Sequence, residues 1–373
     1  MYTDLATLCV SQDQALYPAV VQMDANRLGI VLVVDGQRRL IGTITDGDIR
    51  RALLTKLALE QPIRSLLARK AGTPYATPIT ARMGQESGAY LALLKRHGIL
   101  HLPLLDEADR VVGVVTMEEF LPNQPLSLRA VVMAGGMGSR LSPLTEEIPK
   151  PMLPVGDRPL LELIIEQLRD AGVRHVKLST HHKPEKIEAH FRDGKQFGVE
   201  LSYVTEDRPL GTAGALGLQE PPDTTTLVMN GDILTQVDFR AMLAYHREHE
   251  ADFTVCVRHY ELKVPYGLVR CEGFRVTGLS EKPLVSSFVN AGTYLLEPDV
   301  YQFIPKGERM DMTELIQQLI KSGRTVVSFP IREHWLDIGQ LDDYAEAQEQ
   351  VKRWEQSRRK AKHRAAPFQK TVS

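Results

Sequence analysis

Short apolar runs alternate with polar, turn-forming stretches over the first 120 residues, and the pattern occurs twice. "LGIVLVVDGQRRLIGTITDGDIRRAL" (28–53) and "HGILHLPLLDEADRVVGVVTMEEFL" (97–121) share one plan. In each, Gly-Ile leads into an apolar run that ends at an Asp. Seven residues later comes a glycine, Gly42 or Gly113, then a β-rich triplet, a threonine and an acidic helix start. Reading Asp35–Gly42 as a hairpin turn makes each half a strand, turn, strand, helix unit. Thr45 and Thr116 stand where helix N-caps are expected. "LPNQPLS" (121–127), with two prolines, reads as a linker.

From Arg129 the period changes. "RAVVMA", "HVKLST" and "TTLVMN" are short apolar runs of the kind that form buried strands. Between them "RPLLELIIEQLRDAG" predicts a helix that starts at Pro159 and stops at Gly172, with Leu161, Ile164, Ile165 and Leu168 on one face. "PEKIEAHF" predicts a shorter helix, with Ile187 and Phe191 four residues apart. Strands alternating with helices imply an α/β fold with a mostly parallel sheet. Ligands of such sheets gather at the carboxyl ends of the strands.

Composition narrows the class without changing this picture. The chain has 373 residues, 43% hydrophobic and 25% charged, as expected of a globular protein of two or three domains. A formal net charge of -2 argues against a nucleic-acid partner, which would select a basic face. The three cysteines, Cys9, Cys256 and Cys271, show no metal-ligand spacing and are expected to be buried, inert thiols of a reducing cytoplasm. The N-terminus lacks the cationic start of a signal peptide, and no apolar run approaches the ~18 residues of a membrane span. The basic stretch 353–373, with Arg358, Arg359, Lys360, Lys362 and Arg364, is expected to be a solvated helix end.

The chemistry concentrates in "VVMAGGMGSRLSPLTEEIPKP" (131–151). Glycines directly after a buried strand let backbone N–H groups turn toward an anion. Arg140 and Lys150 add two full charges, and together these suit a polyphosphate. No Gly-Lys-Ser/Thr follows, so this is not a Walker loop. Nor does a helix proceed as a dinucleotide fingerprint requires.

Gly135-Gly136-Met137-Gly138-Ser139-Arg140-Leu141, with Pro149-Lys150-Pro151-Met152-Leu153-Pro154, resembles the signature of the sugar-phosphate nucleotidyltransferases. "EDRPLGTAGAL" (206–216), "NGDIL" (230–234), "VPYGLV", "SEKP", "VNAGTYLL" and "WLDIGQLDDY" follow in that family's order. "GTITDGD" and "GVVTMEE" resemble a pair of CBS domains, a Bateman module. The resemblance implies a Rossmann-like catalytic domain over 128–352 behind an α+β CBS module over 1–120. It also implies nucleotidyl transfer from an NTP to a sugar 1-phosphate, with NDP-sugar and pyrophosphate as products. The Pro-Leu-Gly-Thr-Ala-Gly-Ala loop looks most like that of guanylyltransferases. Uridylyl-, thymidylyl- or cytidylyltransfer, or a non-catalytic nucleotide sensor, stay open at this point. No hexapeptide repeat of a left-handed β-helix follows, so no acyltransferase activity is expected.

The residues fit that chemistry. A phosphate nucleophile is already ionised at neutral pH, so the enzyme must align two polyanions and neutralise the leaving pyrophosphate. Arg140 is the candidate for the β- and γ-phosphates and Lys150 for the α-phosphate region. Asp232, at a strand end, and Asp337, in "HWLDIG", are candidates for Mg²⁺. Ala134, Gly135, Gly136 and Gly138 would face the phosphates, and Gly211 and Thr212 the base. By resemblance Gly267, Glu281, Lys282, Asn290 and Gly292 border the sugar phosphate. His181-His182 reads as a strand-end loop. In the CBS pair, Thr45 and Asp48 match the family's ribose-contact pattern for an adenine or guanine nucleotide, whereas the second repeat has Glu119 where Asp is usual. A module that only dimerises is the alternative, and a homo-oligomer is expected.

Overall fold

The computed structural model describes residues 1–55, 57–73, 76–120 and 126–365, without the side chains of 355 and 357–365. The chain divides into two compact units, Met1–Gln124 and Pro125–Ser373. Residues 121–125 of the expected linker lie outside the described residues.

The N-terminal unit is a repeat in three dimensions. Strands Cys9–Ser11, Ile30–Val34 and Leu40–Thr45 form one sheet, and Ala81–Arg82, His101–Leu105 and Val111–Thr116 form another of the same order. In both, the first strand runs parallel to the second and the second antiparallel to the third. The helices Leu16–Asn26 and Ser87–His97 precede the middle strands, an upstream half of each repeat that the 28–53 and 97–121 patterns do not announce. Ile30, Leu32 and Val111 pack together where the two halves meet.

The structure corrects the reading of Gly42 and Gly113. Neither turns the chain; both lie inside third strands, paired with Val33 and Leu104. A Cβ on Gly42 would stand 2.9 Å from Leu67 Cδ2, and one on Gly113 would stand 2.6 Å from the Tyr2 carbonyl oxygen. These glycines serve close packing across a strand rather than a turn.

In the second unit we label β1 (Arg129–Met133), α1 (Leu160–Ala171), β2 (His175–Thr180), β3 (Glu200–Thr205), α2 (Gly211–Gly214), β4 (Thr226–Asn230), β5 (Ile233–Thr235) and β6 (Phe253–Lys263). There follow β7 (Leu268–Glu272), β8 (Arg275–Ser280), β9 (Leu284–Leu296), α3 (Met312–Lys321), β10 (Val326–Ile331), β11 (Trp335–Asp337) and α4 (Leu341–Ala365). A seven-stranded sheet has the order β3-β2-β1-β4-β9-β6-β10. β9 alone runs against the other six. The sheet is therefore mostly parallel, and the amino-terminal half of β9 reaches the edge where the others present their carboxyl ends.

Both faces of the sheet are buried, which is why its strands read as unbroken apolar runs. Ala130, Val132, Leu227 and Met229 join the core under α1, while Val131 and Val228 join the core under α3. On α1, Leu161, Ile164, Ile165 and Leu168 are all buried; Pro159 is its N-cap and Gly172 its left-handed C-cap, with φ of 99°. α4 continues without a break at 353 as far as Ala365, and residues 366–373 lie outside the described residues.

The expectation for the cysteines holds only in part. All three are free thiols, but Cys256 alone is buried; Cys9 is partly buried and Cys271, on the β7–β8 hairpin, is exposed. No helix among the described residues is long and apolar enough to cross a membrane.

Candidate active site

Four loops leave the parallel strands on one edge. After β1 come Ala134 and Gly135–Gly138, after β2 His181, after β3 Glu206, and after β4 Gly231 and Asp232. Backbone bonds tie these loops together: Ala134 N–H donates to Ser179 O at 2.8 Å, and Gly231 N–H to Met133 O at 2.9 Å. A Cβ on Gly231 would sit 2.8 Å from the same Met133 oxygen, so the loop that carries Asp232 lies directly on the glycine loop.

Within that loop the glycines differ in purpose. Gly138 has φ of +65°, and a Cβ there would meet Thr145 Cγ2 at 2.8 Å and Lys150 Cβ at 3.0 Å. It brings Lys150 up against the loop, where its side chain is buried. Gly136 has open space where its Cβ would be. Arg140 follows in a short 3₁₀ turn, Ser139–Leu141, and is exposed.

Asp232 and Asp337 are brought together by a separate two-stranded sheet. β5 pairs antiparallel with β11, placing Ile233 opposite Asp337, and Ile338 N–H donates to Asp232 O at 3.0 Å. Lys150 Nζ donates to Asp232 Oδ2 at 2.6 Å. Asp232 Oδ1 is buried with no partner, and so is Asn230 Oδ1 two residues earlier. Desolvation by the surrounding protein, then the charge of Asp232, push the Asp337 carboxyl above its ordinary pKa, against the pull of Lys150 and Arg140. Its side chain keeps access to solvent. Arg140 ends 3.6 Å (Nη1) from the position of a Gly339 Cβ, and Asp343 Oδ2 accepts from the N–H groups of Gly339 and Gln340. Two cations and two carboxylates thus converge under a glycine loop.

The donor set suits a hard divalent ion. Two carboxylates, one with a buried unpartnered oxygen, leave most of an octahedron to phosphate oxygens and water. Among the described residues no cluster of three or more His, Cys, Asp or Glu side chains forms a complete protein cage. His181 Nδ1 bonds the Glu206 carbonyl at 2.7 Å, as a strand-end loop residue.

Gly211 and Thr212 are held by a segment the sequence did not mark. Gly211 has φ of +80°, and Cβ atoms on Gly211, Gly214 and Gly217 would stand 2.5–2.6 Å from Asp311 Oδ1, Glu308 O and Pro305 O. Thr212 N–H donates to Asp311 Oδ1 at 3.3 Å, and Met312 N–H donates to Thr212 Oγ1 at 2.8 Å. Asp311 also caps α3. The glycine spacing of "LGTAGALG" therefore fits the loop against residues 305–312.

Gly292 has φ of +65°, and a Cβ there would collide with Ile233 Cδ1 (2.5 Å) and Asn230 Nδ2 (2.7 Å). Asn290 Oδ1 accepts from Gly292 N–H at 2.9 Å. This turn lies against the Asp232 loop because β9 is reversed. A Gly267 Cβ would be 3.1 Å from Glu281 Oε2, so those two expected neighbours are brought together. Lys282 is exposed with φ of +42°. Among the described residues no hydrogen bond or ion pair joins Glu281 or Lys282 to the carboxylate pair.

In the N-terminal unit Asp48 is engaged by partners of its own fold. Thr45 and Asp48 form a reciprocal capping box at the helix Asp46–Leu54. Asp48 is 2% exposed and accepts from Thr45 N–H and Oγ1, from Arg51 and from Lys70 at 2.8 Å. Burial works against its charge, but Lys70, the Thr45 N–H and Arg51 outweigh burial and lower its pKa. In the second repeat Glu119 accepts from Thr116 N–H at 3.0 Å, while the buried Thr116 hydroxyl has no partner.

Glu206, Asn230, Asp311, Gly339 and Asp343 are the residues of this region that motif spacing did not single out. Glu206, Asn230, Gly339 and Asp343 all lie inside the quoted motifs, so their sequence signal was present; Asp311 lies in none.

A Rossmann-like mixed sheet with a glycine loop, two cations and two carboxylates at its carboxyl edge defines a nucleotide-handling domain. A family model described as nucleotidyl transferase matches residues 129–353, and the chain belongs to that family. A CBS-domain model matches 5–55 and 91–123. A UTP–glucose-1-phosphate uridylyltransferase from Synechocystis is 34% identical over 241 residues, covering 59% of this chain and 62% of its own. A mannose-1-phosphate guanylyltransferase from Mycobacterium tuberculosis is 35% identical over 222 residues, covering 58% and 62%. The chain thus spans 62% of the length of these curated relatives. A Bacillus anthracis crystal structure described as a glucose-1-phosphate thymidylyltransferase in complex with a sucrose is alike in fold. Its TM-score is 0.50 at 24% identity, over 60% of this chain and 94% of that one.

Proposed function

We propose that this chain is a cytoplasmic sugar-1-phosphate nucleotidyltransferase that uses GTP. An oxygen of the sugar phosphate attacks the α-phosphorus of the NTP. The bond from that phosphorus to the bridging oxygen breaks, and pyrophosphate leaves. The observation that carries this reading is the convergence of Arg140, Lys150, Asp232 and Asp337 beneath the Gly135–Gly138 loop. Arg140 takes the leaving phosphates, and Lys150, already held by Asp232, neutralises charge near the α-phosphate. Asp232 and Asp337 would hold Mg²⁺, which supplies charge neutralisation on the triphosphate. Ala134, Gly135, Gly136 and Gly138 face the phosphates and the Gly211–Thr212 loop the base. Gly267, Glu281, Lys282, Asn290 and Gly292 receive the sugar phosphate.

The resemblance of the 206–216 loop to guanylyltransferases supports guanine, and the relatives include both guanylyl and uridylyl enzymes. A pyrophosphate-release screen of four NTPs against sugar 1-phosphates tests both levels. GTP is expected to give the highest kcat/KM; a pyrimidine nucleotide in that place would overturn the base, and no release with any pair would overturn the transferase.

The CBS pair is read as a regulatory module for an adenine or guanine nucleotide. Support comes from the buried, unpartnered Thr116 hydroxyl rather than from Asp48. Calorimetry with AMP, ATP, GMP and GTP tests it: Thr116→Val is expected to weaken binding, and Asp48→Asn to destabilise the fold instead.

A further inference from the structure

One helix, α4, holds both the loop that follows Asp337 and the segment that follows Lys150. It begins at Leu341, just past that loop, and packs on the core through Ala347 and Val351. In its first turn Asp343 accepts from Gly339 and Gln340 N–H at 3.0 and 2.7 Å, which fixes the loop after Asp337. Tyr344 and Gln348, about one helical turn apart, reach a different part of the chain. Pro154 O accepts from the Tyr344 hydroxyl at 2.5 Å and from Gln348 Nε2–H at 2.6 Å, and Gly156 N–H donates to Gln348 Oε1 at 2.9 Å. Gln348 thus uses both ends of its amide, a pairing that neither a carboxylate nor an amine side chain reproduces. The clasped residues lie four and six positions beyond Lys150, where Pro154 and Val155 pair with Pro159 and Arg158. Leu153 N–H donates to Lys150 O at 3.1 Å and carries the connection back to the lysine.

We propose that Gln348, with Tyr344, is a positioning residue that keeps the segment carrying Lys150 in register with the loop after Asp337. The inference rests on the nucleotidyltransferase reading above. Asp232 and Asp337 are placed by the ends of paired strands, β4, β5 and β11. Lys150 has no such support, since it stands in a three-residue 3₁₀ turn, Lys150–Met152. Among the described residues its ammonium bonds Asp232 alone. In the proposed reaction that ammonium must also meet phosphate, so the bond to Asp232 cannot be all that places it. The backbone of the turn has to place it, and that backbone is tied to the rest of the site at Pro154 and Gly156. Small misplacements of a group at a reacting centre have large effects on rate. α4 therefore splints two charged segments that the main sheet does not join.

The test is a double-mutant cycle in the full chain: wild type, Gln348→Met, Lys150→Met and the two together, in pyrophosphate release with thermal midpoints recorded alongside. Methionine keeps the volume of Gln348 and removes both bonds. Gln348→Met alone is expected to lower kcat about tenfold and leave KM for the sugar 1-phosphate within about threefold. In the Lys150→Met background the same change is expected to lower kcat by less than about twofold, because the residue it positions is gone. An equal fold loss in both backgrounds overturns the proposal. So does a Gln348→Met enzyme with the kcat of wild type. Lys352→Ala breaks an exposed pair with Glu349 on the same helix and is expected to leave kcat unchanged; a loss there as large as in Gln348→Met also overturns the proposal. If Gln348→Met fails to fold, Tyr344→Phe takes its place in the cycle, with a smaller loss and the same dependence on Lys150. If wild type releases no pyrophosphate, the transferase reading fails by itself. The cycle is then read in calorimetric NTP binding. Weakening by Gln348→Met only where Lys150 is present upholds the inference, and equal weakening or none overturns it.

Discussion

Asp232 and Asp337 stand 105 residues apart in the chain and side by side in the fold, joined by the bond from Ile338 N–H to Asp232 O. Lys150 reaches the same place from a third segment. The backbone holds two carboxylates together although each disfavours the other's charge, an arrangement that makes sense for a cation-dependent site.

Asp232→Asn is therefore expected to fold and to lose turnover by at least about 100-fold, since losing a metal that offsets transition-state charge costs several kcal/mol. Steady-state kinetics across a Mg²⁺ titration checks it. Turnover close to wild type would remove Asp232 from the site.

Asp337→Asn should separate stability from activity. The folded-state pKa of Asp337 is raised, so its ionised form is disfavoured by folding. The penalty sets in as pH rises from the unfolded value through the raised one, and is present in full at neutral pH. The metal-free variant should thus melt slightly higher than wild type at pH 7 while turning over far more slowly. A lower midpoint would contradict the sign of this shift.

Two glycines should respond in opposite ways. Gly136→Ala meets open space and should leave the thermal midpoint nearly unchanged, within about 0.5 kcal/mol. Its methyl group would point where phosphate is proposed to lie, so KM for the NTP should rise about tenfold. Gly214→Ala drives a methyl group to 2.5 Å from Glu308 O and should cost about 1–3 kcal/mol by overpacking. Calorimetric melts with NTP kinetics distinguish the two, and equal midpoints would mean the 305–312 segment yields freely.

His101 predicts the acid response of the N-terminal unit. Its Nε2 bonds Leu28 O at 2.5 Å, and burial lowers its pKa to about 4 despite that bond and Asp46. The neutral ring is favoured in the fold, so its contribution is complete above the unfolded value of 6.5 and is lost as pH falls through about 4. A shift of this size corresponds to roughly 3 kcal/mol. Urea denaturation between pH 4 and 7 should show this slope in wild type and less of it in His101→Gln. An NMR titration placing the His101 pKa near 6.5 would sink the prediction.

Much of this protein was legible in its residues. The apolar runs of β1, β2 and β4, the face of α1 and its Pro159 and Gly172 ends, and the glycine loop with Arg140 and Lys150 all rest on interactions within a few residues. A 3.6 or 2.0 period, a cap or a positive φ has the same meaning wherever the chain later goes. What the tertiary structure decided is of another kind. That Gly42 and Gly113 pack closely within strands depends on Leu67 and Tyr2, and that Asp48 carries a buried ion pair depends on Lys70. The glycines of "LGTAGALG" answer to carbonyls near residue 308, and Asn290 and Gly292 reach the Asp232 loop only because β9 is reversed. Glu206 owes its position to Ser179 and Gly135 on the two neighbouring strands and their loops, 27 and 71 residues upstream. Local order is written by short-range sterics and hydrogen bonding, whereas each of these assignments needs a partner whose distance along the chain carries no local signal.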